Sequence, residues 1–429
     1  MRTLAEWLEL QEAVHARTID LGLERVTEVA QRLGVAAPAF RVITVGGTNG
    51  KGSVAAHAEA LLRALGWRVG LFTSPHLVRY HERIRIAGVE ASDAELIEAF
   101  EQIEAARRAT TLTFFEYNTL AALLTFARRR IEIAVLEVGL GGRLDATNLV
   151  AADVAVLASV GLDHRDWLGD SLDSIGREKA GIFRAGRAAV LGTADMPASV
   201  YRTIAALPAR ALIAGRDFTW QRAGDRWSYR GPGLALEDLA PSALAGSIQY
   251  RNAATAITAV AALEPCAPPG RALDRAAVNA ALGSVRLPGR LQIVPGPIEW
   301  ILDIAHNEPA ARVLAGHLGE LAPAVRSDGT RARTLAVAGV LADKDAAGIG
   351  AALAPLVDHW IVCALPGARG GSAAELAGRL LAANAHRTLA DSVAAGCERA
   401  AALARPGDRV VVLGSFLTVG PALEWLRIY

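Results

Sequence analysis

The sequence predicts an α/β protein: a larger N-terminal P-loop-type domain with a mostly parallel sheet, then a smaller C-terminal Rossmann-like α/β domain. Three observations carry this expectation. Short apolar, β-branched runs alternate with helical stretches, as in a parallel sheet covered on both faces. One of these runs opens directly into the glycine-rich segment Val45–Ser53. The alternation is interrupted at Leu287–Arg290 and then restarts.

The elements follow in order. Arg41–Val45 reads as a strand, Ser53–Leu65 as a helix and Arg68–Thr73 as a second strand. Ser92–Glu95 has the form of a capping box opening a helix. Ala134–Val138 and Asp153–Val160 are continuous apolar runs, as expected of buried parallel strands. Ser174–Phe183 reads as a helix with Lys179 near its start. Phe218–Trp220 and Trp227–Tyr229 alternate aromatic and polar residues around Gly224, which suggests a small hairpin. Helices are expected over Asn252–Ala262 and Asp274–Leu282. The interruption at Leu287–Arg290 places domains at 1–285 and 286–429. Beyond it, Trp300–Asp303, Thr334–Val340, Trp360–Ala364 and Arg409–Leu413 read as strands, and Ser372–Glu375 as another capping box.

Composition narrows the function classes. The chain has 429 residues, enough for two domains. It is 52% hydrophobic and 21% charged, which is globular. Its 45 basic and 44 acidic residues leave a formal charge of +1, so no global field draws nucleic acid or an anionic membrane. Apolar runs are short, and no membrane span is expected. The N-terminus lacks a secretory pattern. Cys266, Cys363 and Cys397 show neither metal spacing nor a disulfide framework. Together these point to the cytoplasm.

Lysine is rationed. Arginine supplies nearly all of the basic residues, and lysine occurs only at positions 51, 179 and 344. Lysine alone offers a compact ammonium or a usable neutral amine. Lys51 lies in Val45–Ser53, between a predicted strand and a predicted helix, which is the context of a P-loop. Glycines let backbone N–H groups converge on phosphate, and the helix N-terminus adds positive potential. Lys51 would reach the β- and γ-phosphates, and Ser53 or Thr48 would touch magnesium or phosphate. The spacing departs from the common P-loop pattern, since Gly52 separates Lys51 from Ser53.

Gly47–Ser53 resembles the ATP loop of the Mur ligase superfamily. Further segments resemble its folate branch, the bifunctional bacterial dihydrofolate synthase/folylpolyglutamate synthases. They are Thr18–Arg25, Thr73–Leu77, Phe115–Tyr117, Leu136–Asn148, Leu162–His164, Gly176–Phe183, Leu287–Arg290, Asp303–Asn307, Asp343–Asp345 and Gly414–Phe416. They run through nearly the whole chain. The resemblance implies a P-loop ATPase-like first domain and ATP-dependent ligation of L-glutamate to dihydropteroate and reduced folates. An acyl phosphate would form first, catalysis resting on Lys51, Lys179, His164 and Arg290. Two magnesium ions are implied, and a monovalent cation is left open.

Glu137 ends a predicted buried strand, where parallel sheets bind ligands, and suits magnesium. The resemblance adds Ser74 and His164 to the metal set, whereas His76 and His81 read as structural or surface residues. It implies that Lys179 can be carbamylated; the plain reading is a solvated helix lysine beside an acid. It assigns ATP to Thr48, Asn49, Gly50, Lys51, Gly52, Ser53, Asn252, Arg290, Asp303 and His306, with Arg290 on phosphate and Asp303 on the ribose. It assigns the pterin to Thr18, Ile19, Asp20, Leu21, Thr113, Phe114, Phe115, Glu116, Leu144, Asp145 and Ala146. For the aromatics among these, core packing is the alternative. Lys344 is either functional or an ion-paired surface lysine. One departure is visible: the family's proline after His-Asn is displaced, giving Asn307-Glu308-Pro309. A monomer is expected. The competing readings are a single-activity folylpolyglutamate synthase, a peptidoglycan-type Mur ligase, and a P-loop ATPase without ligase chemistry.

Overall fold

The computed structural model describes residues 2–17, 19–321, 326, 329–367 and 369–429. The chain forms two compact units. The first comprises Met1–His76, Tyr80–Ala243 and Gln249–Arg286; the second comprises Leu287–Tyr429 with the short segments Leu77–Arg79 and Leu244–Ile248.

The first unit is built on an eight-stranded sheet. Its strands are β1 (Arg41–Gly46), β2 (Val69–Phe72), β3 (Ile84–Ile86), β4 (Val89–Glu90), β5 (Ile133–Glu137), β6 (Val154–Leu157), β7 (Ala188–Leu191) and β8 (Arg210–Ile213), in the order β4-β3-β2-β5-β1-β6-β7-β8. From β2 to β8 all neighbours are parallel; β3 and β4 add an antiparallel edge. β1, β2, β5 and β6 fall where apolar runs predict them. The short edge strands were not legible, because two or three residues carry no periodicity.

A second, three-stranded antiparallel sheet follows: β9 (Thr219–Ala223), β10 (Arg226–Gly231) and β11 (Leu234–Leu239). The hairpin expected around Gly224 is β9–β10, and β11 extends it. β11 consists of Leu, Ala, Glu and Asp, mostly helix formers, and pairing with β10 overrides that preference. Trp227 and Tyr229 are fully buried; the indole donates to Ala240 O at 2.7 Å, and the phenol meets the Thr258 hydroxyl at 2.9 Å.

The second unit holds β12 (Gln292–Val294), β13 (Glu299–Asp303), β14 (Thr334–Ala338), β15 (His359–Cys363), β16 (Arg387–Ala390) and β17 (Arg409–Leu413), ordered β12-β13-β17-β14-β15-β16. Only β12 is antiparallel. Alternate residues face alternate layers. Ala336, Val362 and Val411 join one core, under helices Glu308–Glu320, Ala346–Leu353 and Ala373–Leu380. Val337, Ile361 and Val410 join the other, under helices Val393–Leu403 and Phe416–Trp425. Asn307 caps its helix by accepting from Ala310 N at 3.0 Å, and Pro309 falls in the first turn. The displaced proline therefore fits, since an N–H at its place in the first turn would have no intrahelical acceptor to lose.

Helix Lys51–Ala64 is buried from Gly52 to Leu62. Inside it, His57 is 1% exposed. Its Nδ1 lies 2.7 Å from Ser53 O and its Nε2 2.8 Å from Ser242 Oγ. A carbonyl only accepts, so Nδ1 carries the proton and Nε2 accepts from the hydroxyl. The neutral ring is satisfied on both sides, and burial pulls its pKa down to about 4. Below the ordinary 6.5 the unfolded chain takes up a proton that the folded chain refuses until about 4. This contribution is present above pH 6.5 and is lost as pH falls through 4; it amounts to about 3 kcal/mol. Urea unfolding at stepped pH should show that slope, and His57→Gln should flatten it.

Candidate active site

Register builds the site. β1 lies between β5 and β6, with Val45 opposite Glu137 and Gly46 opposite Leu157. The loop leaving β1 therefore emerges beside the ends of both neighbours. Gly47 and Gly50 turn it at φ +146° and +86°. A Cβ on Gly47 would meet Ser159 N at 3.1 Å, and one on Gly50 would meet Asn252 Oδ1 at 3.2 Å. The segment after β6 braces the loop. Thr48 N donates to Ser159 O at 2.8 Å, Asn49 N to Ser159 Oγ at 3.0 Å, and the Thr48 hydroxyl both donates to Gly161 O and accepts from Gly161 N. Lys51 Nζ donates to Gly47 O at 3.1 Å and Thr48 O at 3.2 Å. Gly52 and Ser53 open the helix, both buried. This is a glycine-rich backbone loop at a helix N-terminus, and it fits a nucleotide phosphate.

Lys179 reaches the same loop. It lies in the last turn of helix Leu172–Ala180, not near the start, because the Ser171 cap begins the helix earlier than expected. The side chain is 4% exposed, and Nζ donates to Gly47 O at 3.0 Å. The solvated-lysine reading is thereby corrected: the neighbouring Glu178 pairs with Arg143. Glu137 is 3% exposed, and its Oε2 accepts from Ser74 N at 3.1 Å, which brings Ser74 beside it. His164 follows β6, in left-handed backbone at φ 52°, as the cap of the short helix Arg165–Leu168. Among the described residues no three His, Cys, Asp or Glu side chains cluster as a self-sufficient metal site. Magnesium shared with nucleotide phosphates needs only one or two carboxylates, and Glu137 with the Ser74 hydroxyl fits that chemistry.

The residues expected to hold the pterin form a neighbouring group. Thr18 lies outside the described residues. Ile19, Asp20 and Leu21 are partly buried. Asp20 pairs with Arg25 at 2.8 Å and lies 3.1 Å from His15 Nε2; Arg25 also reaches Glu116 at 3.3 Å. Thr113 and Glu116 cap helix Phe114–Arg128 reciprocally. Phe114 and Phe115 are half-buried at its start. Phe115 packs so closely on Gly139 that a Cβ there would lie 2.6 Å from its ring. Leu144, Asp145 and Ala146 lie on the loop after β5. Asp145 organises that loop, accepting from Gly139 N, Leu140 N, Thr147 N and the Thr147 hydroxyl. Burial still pushes its carboxyl pKa up.

In the second unit, Asp303 ends β13 and accepts from Leu291 N and Ala305 N, each at 2.8 Å. Burial raises its pKa, and the Arg290 charge opposes that. His306 Nδ1 lies 3.2 Å from Ile304 O. Lys344 is 7% exposed. It is therefore not a surface lysine; of its acidic neighbours, Asp343 pairs with Arg369 and Asp345 caps the next helix.

Sequence reasoning missed several contributors. Ser159 braces the loop, and its signal was available: it follows the apolar run paired to β1. His15 and Arg25 hold Asp20, but that contact spans a turn no periodicity reports. His76, set aside as structural or surface, accepts from Arg83 Nε at 2.7 Å. His81 pairs with Asp93 at 2.6 Å. Gly50→Ala forces a side chain into left-handed backbone, a strain of about 1–2 kcal/mol. Titration with a non-hydrolysable ATP analogue should show affinity down by about tenfold if binding bears that strain.

Residues 45–260 match the Mur ligase middle domain, and residues 289–416 match the Mur ligase, glutamate ligase domain. The dihydrofolate synthase/folylpolyglutamate synthase of Escherichia coli K12 is 43% identical over 421 residues, 98% of this chain and 95% of that protein. The structure of E. coli FolC in complex with DHPP and ADP superposes with a TM-score of 0.91 at 42% identity, covering 99% of this chain and 98% of that one. A bifunctional folylpolyglutamate synthase/dihydrofolate synthase with Mn, AMPPNP and L-glutamate bound gives 0.88 at 41%, covering 100% and 99%. No described helix is long and apolar enough to cross a membrane. This chain belongs to the Mur ligase family of ATP-dependent ligases, in its dihydrofolate synthase/folylpolyglutamate synthase branch.

Proposed function

We propose that this protein joins L-glutamate to dihydropteroate, making dihydrofolate, and to reduced folates, making polyglutamates, acting as a cytoplasmic monomer. The observation that carries the reading is the corner where Lys51 and Lys179 both meet the Gly47 carbonyl while the β1–β5 register sets Glu137 opposite Val45. That corner can hold a triphosphate and a metal at the end of a parallel sheet.

A free carboxylate is a poor electrophile at neutral pH, so the acceptor must be activated. Its carboxylate oxygen attacks the γ-phosphorus of ATP, the bond to the bridging oxygen breaks, and ADP leaves. The neutral amine of glutamate then attacks the acyl carbon; the amide forms, phosphate departs and the amine loses its proton. Lys51 and the loop N–H groups hold the phosphates in line. Asn252 lies against Gly50, and the family resemblance assigns it to the adenine. Glu137, Ser74 and His164 would hold magnesium, which supplies charge neutralisation at the phosphates. The family resemblance assigns Arg290 to phosphate, Asp303 to the ribose and His306 to the base or phosphates.

Lys179 is the proposed carbamate. The buried amine lies at the Gly47 carbonyl; CO2 bonding to the neutral amine, with one proton released to solvent, would give an anion that arginine cannot form. Intact-protein mass should show one added CO2 in bicarbonate buffer, lost in Lys179→Arg. That variant should also lose about a hundredfold or more in turnover, the scale of a lost electrostatic contributor.

The reading is tested by phosphate release from Mg-ATP and L-glutamate with dihydropteroate, with tetrahydrofolate and with no acceptor, products being weighed by mass. Each acceptor should gain one glutamyl unit. Turnover with the folate alone would leave a single-activity polyglutamate synthase. Hydrolysis indifferent to acceptor would sink the ligase.

A further inference from the structure

One buried charge in the first unit has no role in the mechanism above. Arg83 is 7% exposed. Its Nε donates to His76 Nδ1 at 2.7 Å, and its guanidinium carbon lies 5.3 Å from the Phe114 ring and 5.8 Å from the Tyr80 ring. Among the described residues no carboxylate forms an ion pair with it. The half-buried Arg85, by contrast, has the buried Glu59 at 2.5 Å. A guanidinium stays protonated, and burying one without a counter-charge is costly. The nearby negative charges are those of Glu137 and Glu82, felt through space, and the Tyr80 phenol donates to Asn118 Oδ1 at 2.5 Å.

Its place is fixed by the backbone. Arg83 O accepts from Thr73 N at 3.0 Å, one residue before Ser74, and Ser74 N donates to Glu137. The guanidinium lies within electrostatic reach of Glu137, a proposed metal ligand, and against the ring of Phe114, the aromatic wall. Dihydropteroate carries a flat pterin at one end and the carboxylate to be activated at the other, and it would span these two features.

We infer that Arg83 is the anion anchor for the acceptor, holding the carboxylate that becomes the acyl phosphate. This rests on the ligase reading above. Arg83 replaces the water lost by the carboxylate and stabilises charge as the phosphoryl group is transferred. His76, packed against Tyr80, is a positioning residue that fixes the guanidinium by its Nε.

The experiment measures dihydropteroate, and its carboxamide in which the acid is replaced by CONH2, binding to the full chain with Mg and a non-hydrolysable ATP analogue. The wild type should prefer the acid by about tenfold or more, the worth of one charge-assisted pair. Arg83→Gln should erase the preference with carboxamide and nucleotide affinities held, and Arg83→Lys should keep part of it. Equal wild-type affinity for acid and amide would overturn the inference without any variant. So would a preference surviving in Arg83→Gln, or equal losses for both ligands, which mark a structural post. Binding of neither ligand by a wild type that still binds nucleotide would sink the ligase reading itself and this inference with it.

Discussion

Parallel pairing of β1 on both edges is the constraint from which the site follows. Hydrogen bonds to β5 and β6 leave the chain one way out, at the carboxyl end of the sheet. The same ladders bring Glu137 and the segment carrying Ser159 to that exit. No side chain is needed to arrange this; backbone register does it. The glycines then follow as a necessity, because the space beside the exit is filled by Ala158, Ser159 and Asn252.

The economy of lysine takes on a physical sense in this setting. Two of the three lysine side chains converge on one carbonyl oxygen, that of Gly47, from the helix the loop opens and from the end of a distant one. An arginine fork would be too broad for the contact and could not shed its proton. The third, Lys344, is buried in the loop between β14 and helix Ala346–Leu353, with its carbonyl held by Arg379.

Much of the fold was legible, for reasons that differ by element. Buried parallel strands announce themselves as apolar runs, and capping boxes at Ser92 and Ser372 form as their spacing requires. β11 was hidden because its residues favour helix, and β3 and β4 because they are too short to show a period. At the site, the loop and the strand-end Glu137 could be read from local order alone. The partners of Asp20 and the surroundings of Arg83 could not, since they come from elements far apart in the chain or from turns. Local sequence reports what the backbone does next; it reports poorly on what a folded side chain meets.

The three-residue excursion Leu77–Arg79 has a consequence for how the gene can be divided. Leu77 packs on helix Phe416–Trp425 so closely that a Cβ on Gly420 would lie 2.2 Å from its carbonyl, and Arg79 stacks on the Tyr429 ring. Leu244–Ile248 belongs to the same unit. The second unit is therefore not a contiguous stretch of text. A fragment cut at Leu287 would lack two of its own pieces, with a trench open along the helix at Gly420. In this protein the boundaries that matter for folding are drawn in space, and a single cut in the reading frame cannot follow them.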